Sequence, residues 1–145
     1  MSARRFRADE TVDFAVVGSG AAGGVIAREL SQAGFSVLVF EQGPRLSPAD
    51  FEHDELKYWL LSGITSGPGQ ENSGGAHLLG TCRMGNDPKV SVVDKSHRTH
   101  DVSNLFICDG SSFVTSGRGQ PTMTIQALAF RAADHIGQFA KRNET

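Results

Sequence analysis

The stretch VVGSGAAGGVIARELSQAGFSVLVFEQG, Val16 to Gly43, decides how the rest of the chain is read. The apolar run DFAVVG, Asp13 to Gly18, ends in glycine and predicts a buried strand. Ala21 to Ala33 holds good helix formers, and Gly34 stands where a helix C-terminus calls for a residue of positive φ. Phe35 to Glu41 is a second β-branched and aromatic run. The order strand, helix, strand predicts a parallel pair joined by a right-handed crossover.

Gly18, Gly20 and Gly23 form G-x-G-x-x-G between the first strand and the helix. Gly18 permits the tight turn, Gly20 lets the backbone approach a pyrophosphate, and Gly23 lets helix and strand pack closely. The helix start offers free N–H groups and the positive end of its dipole to phosphate. Glu41 lies 18 residues beyond Gly23, where a carboxylate can accept hydrogen bonds from ribose hydroxyls. A carboxylate there disfavours a 2′-phosphate and so argues against NADP, while the loop alone leaves NAD and FAD open. Ala21, Ala22 and Gln42 complete the expected contact set. A glycine-rich turn with no ligand is the competing reading, and the agreement of strand, helix, second strand and carboxylate argues against it.

The chain has 145 residues, which predicts one domain, and it is long enough to bury roughly 70% of its unfolded surface. With 39% hydrophobic and 21% charged residues it has a globular composition. A net charge of −2 gives no bulk attraction to nucleic acid or to anionic membranes. No apolar run approaches the ~20 residues of a membrane span. The opening MSARRFRADETVD has no apolar region behind its arginines, so it reads as a solvated tail over residues 1–10 and a cytoplasmic location is expected. Cys82 and Cys108 read as buried thiols rather than a disulfide framework.

Ser47 to Leu61 carries a capping pattern and predicts a helix; residues 62–76, rich in Gly and Ser, predict a linker. Val90 to Asp94 predicts a short strand, and Asn104 to Asp109 a central parallel strand, apolar on both faces. A final helix is expected from Pro121 to about Ala140, with Ile125, Leu128, Ala132, Ile136 and Phe139 on one face. His97 and His100 read as solvated turn residues, since no carboxylate or cysteine cluster supports a metal site, and none is expected.

The second half contains H-x-x-G-T-C from His77, V-V-D from Val92, N-L-F-x-x-D-G-S from Asn104, and P-T-x-T-I-x-A-L-A from Pro121. Together with the glycine loop, this wording resembles the glucose–methanol–choline (GMC) oxidoreductases from about Val12 to Ile136. The resemblance implies an α/β, Rossmann-like FAD/NAD(P)-binding fold: a minimal parallel sheet flanked by helices. It implies FAD as cofactor, a small alcohol, sugar or polyol as substrate, and a separate electron acceptor. By the same resemblance His77 takes the hydroxyl proton. Asp109 and Gly110 approach the ribityl and pyrophosphate, and Pro121, Thr122 and Met123 start the helix beneath the flavin. Where the family often has His or Asn, Gln120 stands here; it can hydrogen-bond a substrate oxygen but cannot serve as a base.

Family members have a long middle region, which the resemblance implies is absent here. The expected domain therefore runs over 11–145: an N-terminal part (11–61), the linker (62–76) and a C-terminal part (77–145). The last strand is expected beside the first, giving a three-stranded core. Three functions follow: an FAD-dependent alcohol or sugar dehydrogenase, a truncated FAD-binding module without turnover, or, against the C-terminal motifs, an NAD-binding domain. Asp109 as a mere turn cap, and His77 as a plain surface histidine, are the simpler alternatives at those positions.

Overall fold

The computed structural model describes residues 7, 9–44, 47, 49, 79–115 and 120–144. The chain divides into two compact units, one of Met1–Gln42 with His77–Thr145 and one of Gly43–Ala76. The helix expected near Ser47–Leu61 and the linker 62–76 lie outside the described residues, apart from Ser47 and Ala49.

In the first unit, β1 (Phe14–Val17) pairs in parallel with β2 (Val37–Phe40), with Phe14 opposite Val37 and Val17 opposite Phe40. Helix α1 (Gly23–Gln32) connects them, as the order strand, helix, strand predicts. At its end, the N–H of Phe35 donates to Leu30 O and that of Gly34 to Ser31 O, while Gly34 takes φ +95°. This is a Schellman stop, available because glycine meets no Cβ penalty at positive φ. Beside that stop, just before the first residues of both strands, a clasp sets the register. The Asp13 carboxylate accepts from Ser36 N–H (2.7 Å) and Oγ–H (2.6 Å), and Asp13 N–H donates to Ser36 Oγ. These bonds hold the Asp13 carboxyl below its ordinary pKa.

The second half of the unit ends in α2 (Thr122–Lys141), preceded by a single 3₁₀ turn at Gly110–Ser112. Its boundaries agree with the sequence reading, and its buried face agrees in part, since Ala132 and Ile136 are on it. Ala129, Ala132, Ala133, Ile136 and Gly137 are buried, whereas Ile125, Leu128 and Phe139 are half-buried. Ala129, Ala132, Ala133 and Ile136 pack with Ile26 and Leu30 of α1, and Phe14, Val16 and Val37 of the sheet close the cluster. Small residues at the seam let two helix backbones approach, and the larger apolar side chains fill its margins.

Two expected strands are corrected. Val90–Asp94 forms no strand: Val93 makes isolated bridges to Met84 and Thr99 and is fully buried. Asn104–Asp109 is not a third parallel strand either, and among the described residues the sheet is two-stranded. One backbone edge of this segment is taken up by residues 97–99: Thr99 N–H donates to Leu105 O and Ile107 N–H to His97 O, an antiparallel pairing with a single bridge at Phe106. That pairing is local in sequence and closes a shorter loop than a pairing to β1 would.

The histidines are also corrected. His97 is buried, at φ +64°, with Nδ1 bonded to Ile107 O at 2.9 Å and Nε2 without a partner. The Nδ1–H tautomer therefore donates to the carbonyl. Burial, the largest cause, lowers the pKa of His97. His100 is half-buried, its Nε2 placed 3.1 Å from Ser91 Oγ and 3.2 Å from Gly85 O.

Two outcomes follow. A Cβ at Gly137 would stand 3.7 Å from Phe35 Cε2 and 3.9 Å from Leu30 Cδ2, ordinary contact distances. Gly137→Ala should therefore stabilise by about 0.5–1 kcal/mol in urea unfolding, because mid-helix glycine carries that entropic cost. Because the folded pKa of His97 is lowered, the unfolded chain binds the proton first as pH falls below the ordinary histidine value of 6.5, so stability is lost below that pH and is full above it. Urea midpoints measured from pH 8 to pH 5 should fall below about 6.5. In His97→Asn, which tolerates the left-handed backbone, that part of the slope should vanish.

Candidate functional site

The glycine loop is built by the end of β1 and the start of α1. Gly18 turns at φ +86°, a conformation closed to most side chains, and its N–H donates to Phe40 O at 2.7 Å. Gly23 opens the helix so close to that turn that a Cβ on it would lie 1.9 Å from Gly18 O. A Cβ at Gly20 would meet nothing within 4 Å, so that side of the loop is open. Helix α1 has Ala22 at its N-cap, no side-chain cap and no acidic residue in its first turn. The Gly24 N–H already donates to Gly20 O at 2.9 Å, so the remaining first-turn N–H groups and the positive dipole end are left for an external anion. Ala21 and Ala22 span the turn as expected.

Glu41 follows β2 directly and comes back to the loop. Its Oε2 accepts from Ser19 N–H and from Ser19 Oγ–H, both at 2.7 Å. The expected ribose acceptor is therefore placed at the loop, and it also fastens it. Sequence reasoning missed Ser19, whose position in the motif is unconstrained; a hydroxyl residue between the first two glycines was the available signal. Gln42 is exposed beside Glu41.

The second half contributes at the turn after Cys108. Asp109 caps the 3₁₀ turn, its Oδ1 accepting from Ser111 N–H at 2.9 Å and from Ser111 Oγ. The simpler reading of Asp109 as a turn cap thus holds in this structure. Gly110 is buried, and a Cβ there would come within 2.6 Å of Leu79 Cδ2 and 3.1 Å of Ile125 Cδ1. Glycine is required because this turn packs against the first turns of α2. Gln120, Thr122 and Met123 are exposed and Pro121 half-exposed at the start of α2, which likewise has no side-chain cap and no acid in its first turn. His77 lies outside the described residues. Ala22, Gly23 and Asp109 line one continuous groove, so the loop and the second-half turn border the same space.

Burial pushes the Cys108 thiol up to about 12, with the Asp109 charge adding to it, so the thiol stays protonated at neutral pH. Among the described residues no group of three or more His, Cys, Asp or Glu could hold a metal ion, and no helix is long and apolar enough to cross a membrane.

A sequence model described as GMC oxidoreductase matches residues 27–129. The chain is 59% identical over 64 residues to a 2-methyl-1,2-propanediol dehydrogenase of Mycolicibacterium austroafricanum, covering 44% of this chain and 12% of that protein. It is 52% identical over 60 residues to the fructose dehydrogenase large subunit of Gluconobacter japonicus, covering 41% and 11%. It is 35% identical over 122 residues to a 6'''-hydroxyparomomycin C oxidase of Streptomyces lividus, covering 77% and 22%. The chain belongs to the GMC oxidoreductase family. It spans 12%, 11% and 22% of the lengths of these three relatives.

The loop geometry sets a direct check. Gly23→Ala drives a Cβ into the Gly18 carbonyl and should cost about 1–3 kcal/mol by urea unfolding, against under 0.5 kcal/mol for Gly20→Ala. Equal, small effects at both positions would contradict this packing of strand end and helix start.

Proposed function

We propose that this chain binds FAD, with the ADP half on the Gly18–Gly23 loop, and that it serves an oxidoreductase acting on CH–OH groups of alcohols, sugars or polyols. The observation that carries the reading is the loop itself. A positive-φ glycine, a helix start with no cap and no acid, an open side at Gly20 and a carboxylate at Glu41 stand together in a GMC family chain. These residues fit a pyrophosphate flanked by a ribose: backbone N–H groups and the dipole of α1 face the phosphates, and Glu41 is positioned to accept ribose hydroxyls. The same carboxylate repels a 2′-phosphate. The relatives' names, a diol dehydrogenase and a fructose dehydrogenase subunit among them, support hydroxyl-bearing substrates.

In this reading the Gly18–Gly23 loop and Glu41 would hold FAD, which would supply a hydride acceptor for the alcohol carbon. The chain's residues do the rest. His77 takes the hydroxyl proton, a role suited to the basic nitrogen of an imidazole. The alcohol thereby loses one hydride and one proton and becomes a carbonyl compound, and a separate acceptor removes the two electrons. Gln120 orients a substrate oxygen by hydrogen bonding. The uncapped start of α2 at Pro121–Met123 lends its dipole to negative charge nearby, with Asp109 and Gly110 alongside. A cytoplasmic location belongs to the same proposal.

A second reading, FAD binding without turnover, is favoured by one observation: the chain spans only 12%, 11% and 22% of its relatives. The two part cleanly in one experiment. The purified chain, reconstituted with FAD, should show the visible bands of bound flavin. A chain that stays colourless and leaves FAD fluorescence unchanged would overturn FAD binding. Anaerobic addition of fructose or 2-methyl-1,2-propanediol should bleach the bands, and His77→Ala should abolish bleaching while keeping the bands. Bands without bleaching by any alcohol would establish the binding module instead.

A further inference from the structure

His97 and Ile107 hold each other by two bonds. Ile107 N–H donates to His97 O at 2.9 Å, and the His97 ring returns Nδ1–H to Ile107 O at 2.9 Å. The ring is 1% exposed, and its Nε2 has no hydrogen-bond partner among the described residues. The backbone of His97 stands at φ +64°, a region few side chains adopt without cost. A tight loop imposes it: Asp94 O accepts from His97 N–H, and Asp94 Oδ1 accepts from the N–H groups of Ser96 and Arg98. The proposed reaction makes no use of His97. Yet Ile107 lies two residues before Asp109, the cap of the turn that borders the groove. On its other side that turn is tied by Cys82 N–H to Ser111 O and by Met84 N–H to Ser112 O. The pair at Ile107 is its near-side anchor.

Nδ1 already donates, so an added proton goes to Nε2 and makes a buried cationic donor without an acceptor. The charged groups that act on the ring come from three elements. Arg131 of α2, whose guanidinium donates to Lys95 O, repels a positive ring. Asp94 of the ring's own loop and Asp109 of the facing segment attract it, but both carboxylates are already engaged with backbone N–H groups. Cys108, beside Ile107, stays a neutral thiol. Burial outweighs the two carboxylates, so the charged ring is disfavoured where it sits. We infer that His97 is a pH-operated latch on the turn at Asp109 and Gly110: when Nε2 takes a proton the ring leaves its site, its bond to Ile107 O breaks, and residues 105–109 are released. The buried ring binds the proton less readily than a solvated one, so protons favour the released form. The latch is shut above the ordinary histidine value of 6.5 and opens as pH falls below it. Its consequence for the cofactor rests on the FAD reading: the shut form is the one that binds, so FAD affinity falls with the same proton.

The test is amide hydrogen exchange on the full chain at about pH 8 and about pH 5, expressed as protection relative to an unstructured peptide. Protection at Ile107 and at Thr99, whose N–H donates to Leu105 O, should fall about tenfold at the lower pH. Protection at Phe35, bonded to Leu30 O at the end of α1, should stay within about twofold. In His97→Asn, protection at Ile107 should be low at both pH values. Ring nitrogen shifts of His97 in the unsubstituted chain, singly protonated at the higher pH and doubly protonated at the lower, stand by themselves should that variant unfold. The dissociation constant for FAD should rise about fivefold over the same interval, and in His97→Asn it should be raised at both ends. A ring still neutral at the lower pH, a protonated ring with Ile107 still protected, equal losses at Ile107 and Phe35, or a pH dependence that survives in His97→Asn would overturn the latch. Release of Ile107 with unchanged FAD affinity would overturn its hold on the turn. Absence of FAD binding at either pH would overturn the cofactor reading alone, and the exchange data on the free chain would still decide the latch.

Discussion

The packing of α1 against α2 is the interaction on which the rest of the described structure depends. The two helices come from blocks of sequence separated by some ninety residues, between Gln32 and Thr122. What joins them is a row of small side chains, Ala129, Ala132, Ala133 and Gly137, set against Ile26 and Leu30. Leu30 is almost completely buried there. Truncating a leucine in such a place costs about 2–5 kcal/mol, a large part of the stability of a small domain. The seam also fixes the position of both chemically interesting ends. The start of α1 carries the glycine loop, and the first turns of α2 press on Gly110 through Ile125.

The loop shows how local constraint becomes a binding surface. Gly18 and Gly23 are needed for the chain's own geometry, because one has positive φ and the other would collide with the first. Gly20 has no such internal reason, and its open side is the part of the loop suited to a ligand. Glu41 joins these roles. Its bonds to Ser19 hold the loop in shape and keep a negative group at the end of β2. The corresponding pair in the second half, Asp109 and Gly110, has internal roles too: a capped turn and a close packing contact.

Much of the first half was legible in the sequence because its signals are local. The apolar runs, the glycine spacing and Gly34 as helix stop each act within a few residues, and β1, α1 and β2 lie where they predict. The limits of α2 were legible for the same reason. Its buried face was legible only in part: Ala132 and Ile136 are on it as read, while Ala129, Ala133 and Gly137 were missed because periodicity weighs large apolar residues. Asn104–Asp109 misled in another way. An extended segment apolar on both sides reads alike whether it pairs with β1 or lines a groove, and only long-range pairing separates the two. His97 was read from polarity as a solvated turn residue, yet its ring is buried on the Ile107 carbonyl. The position of His77 lies outside the described residues, so its role rests on family wording.

The most direct measurement is a nuclear Overhauser experiment on the isotopically labelled full chain, reading the Leu30 methyls against Gly137 Hα and the Ala133 methyl. Cross-peaks between these groups, lost together with the β1–β2 amide bonds as urea is raised, are the expected result. Helices that show no Leu30–Gly137 cross-peak, or that lose it well before the β1–β2 bonds, would contradict a single unit built from both halves of the sequence.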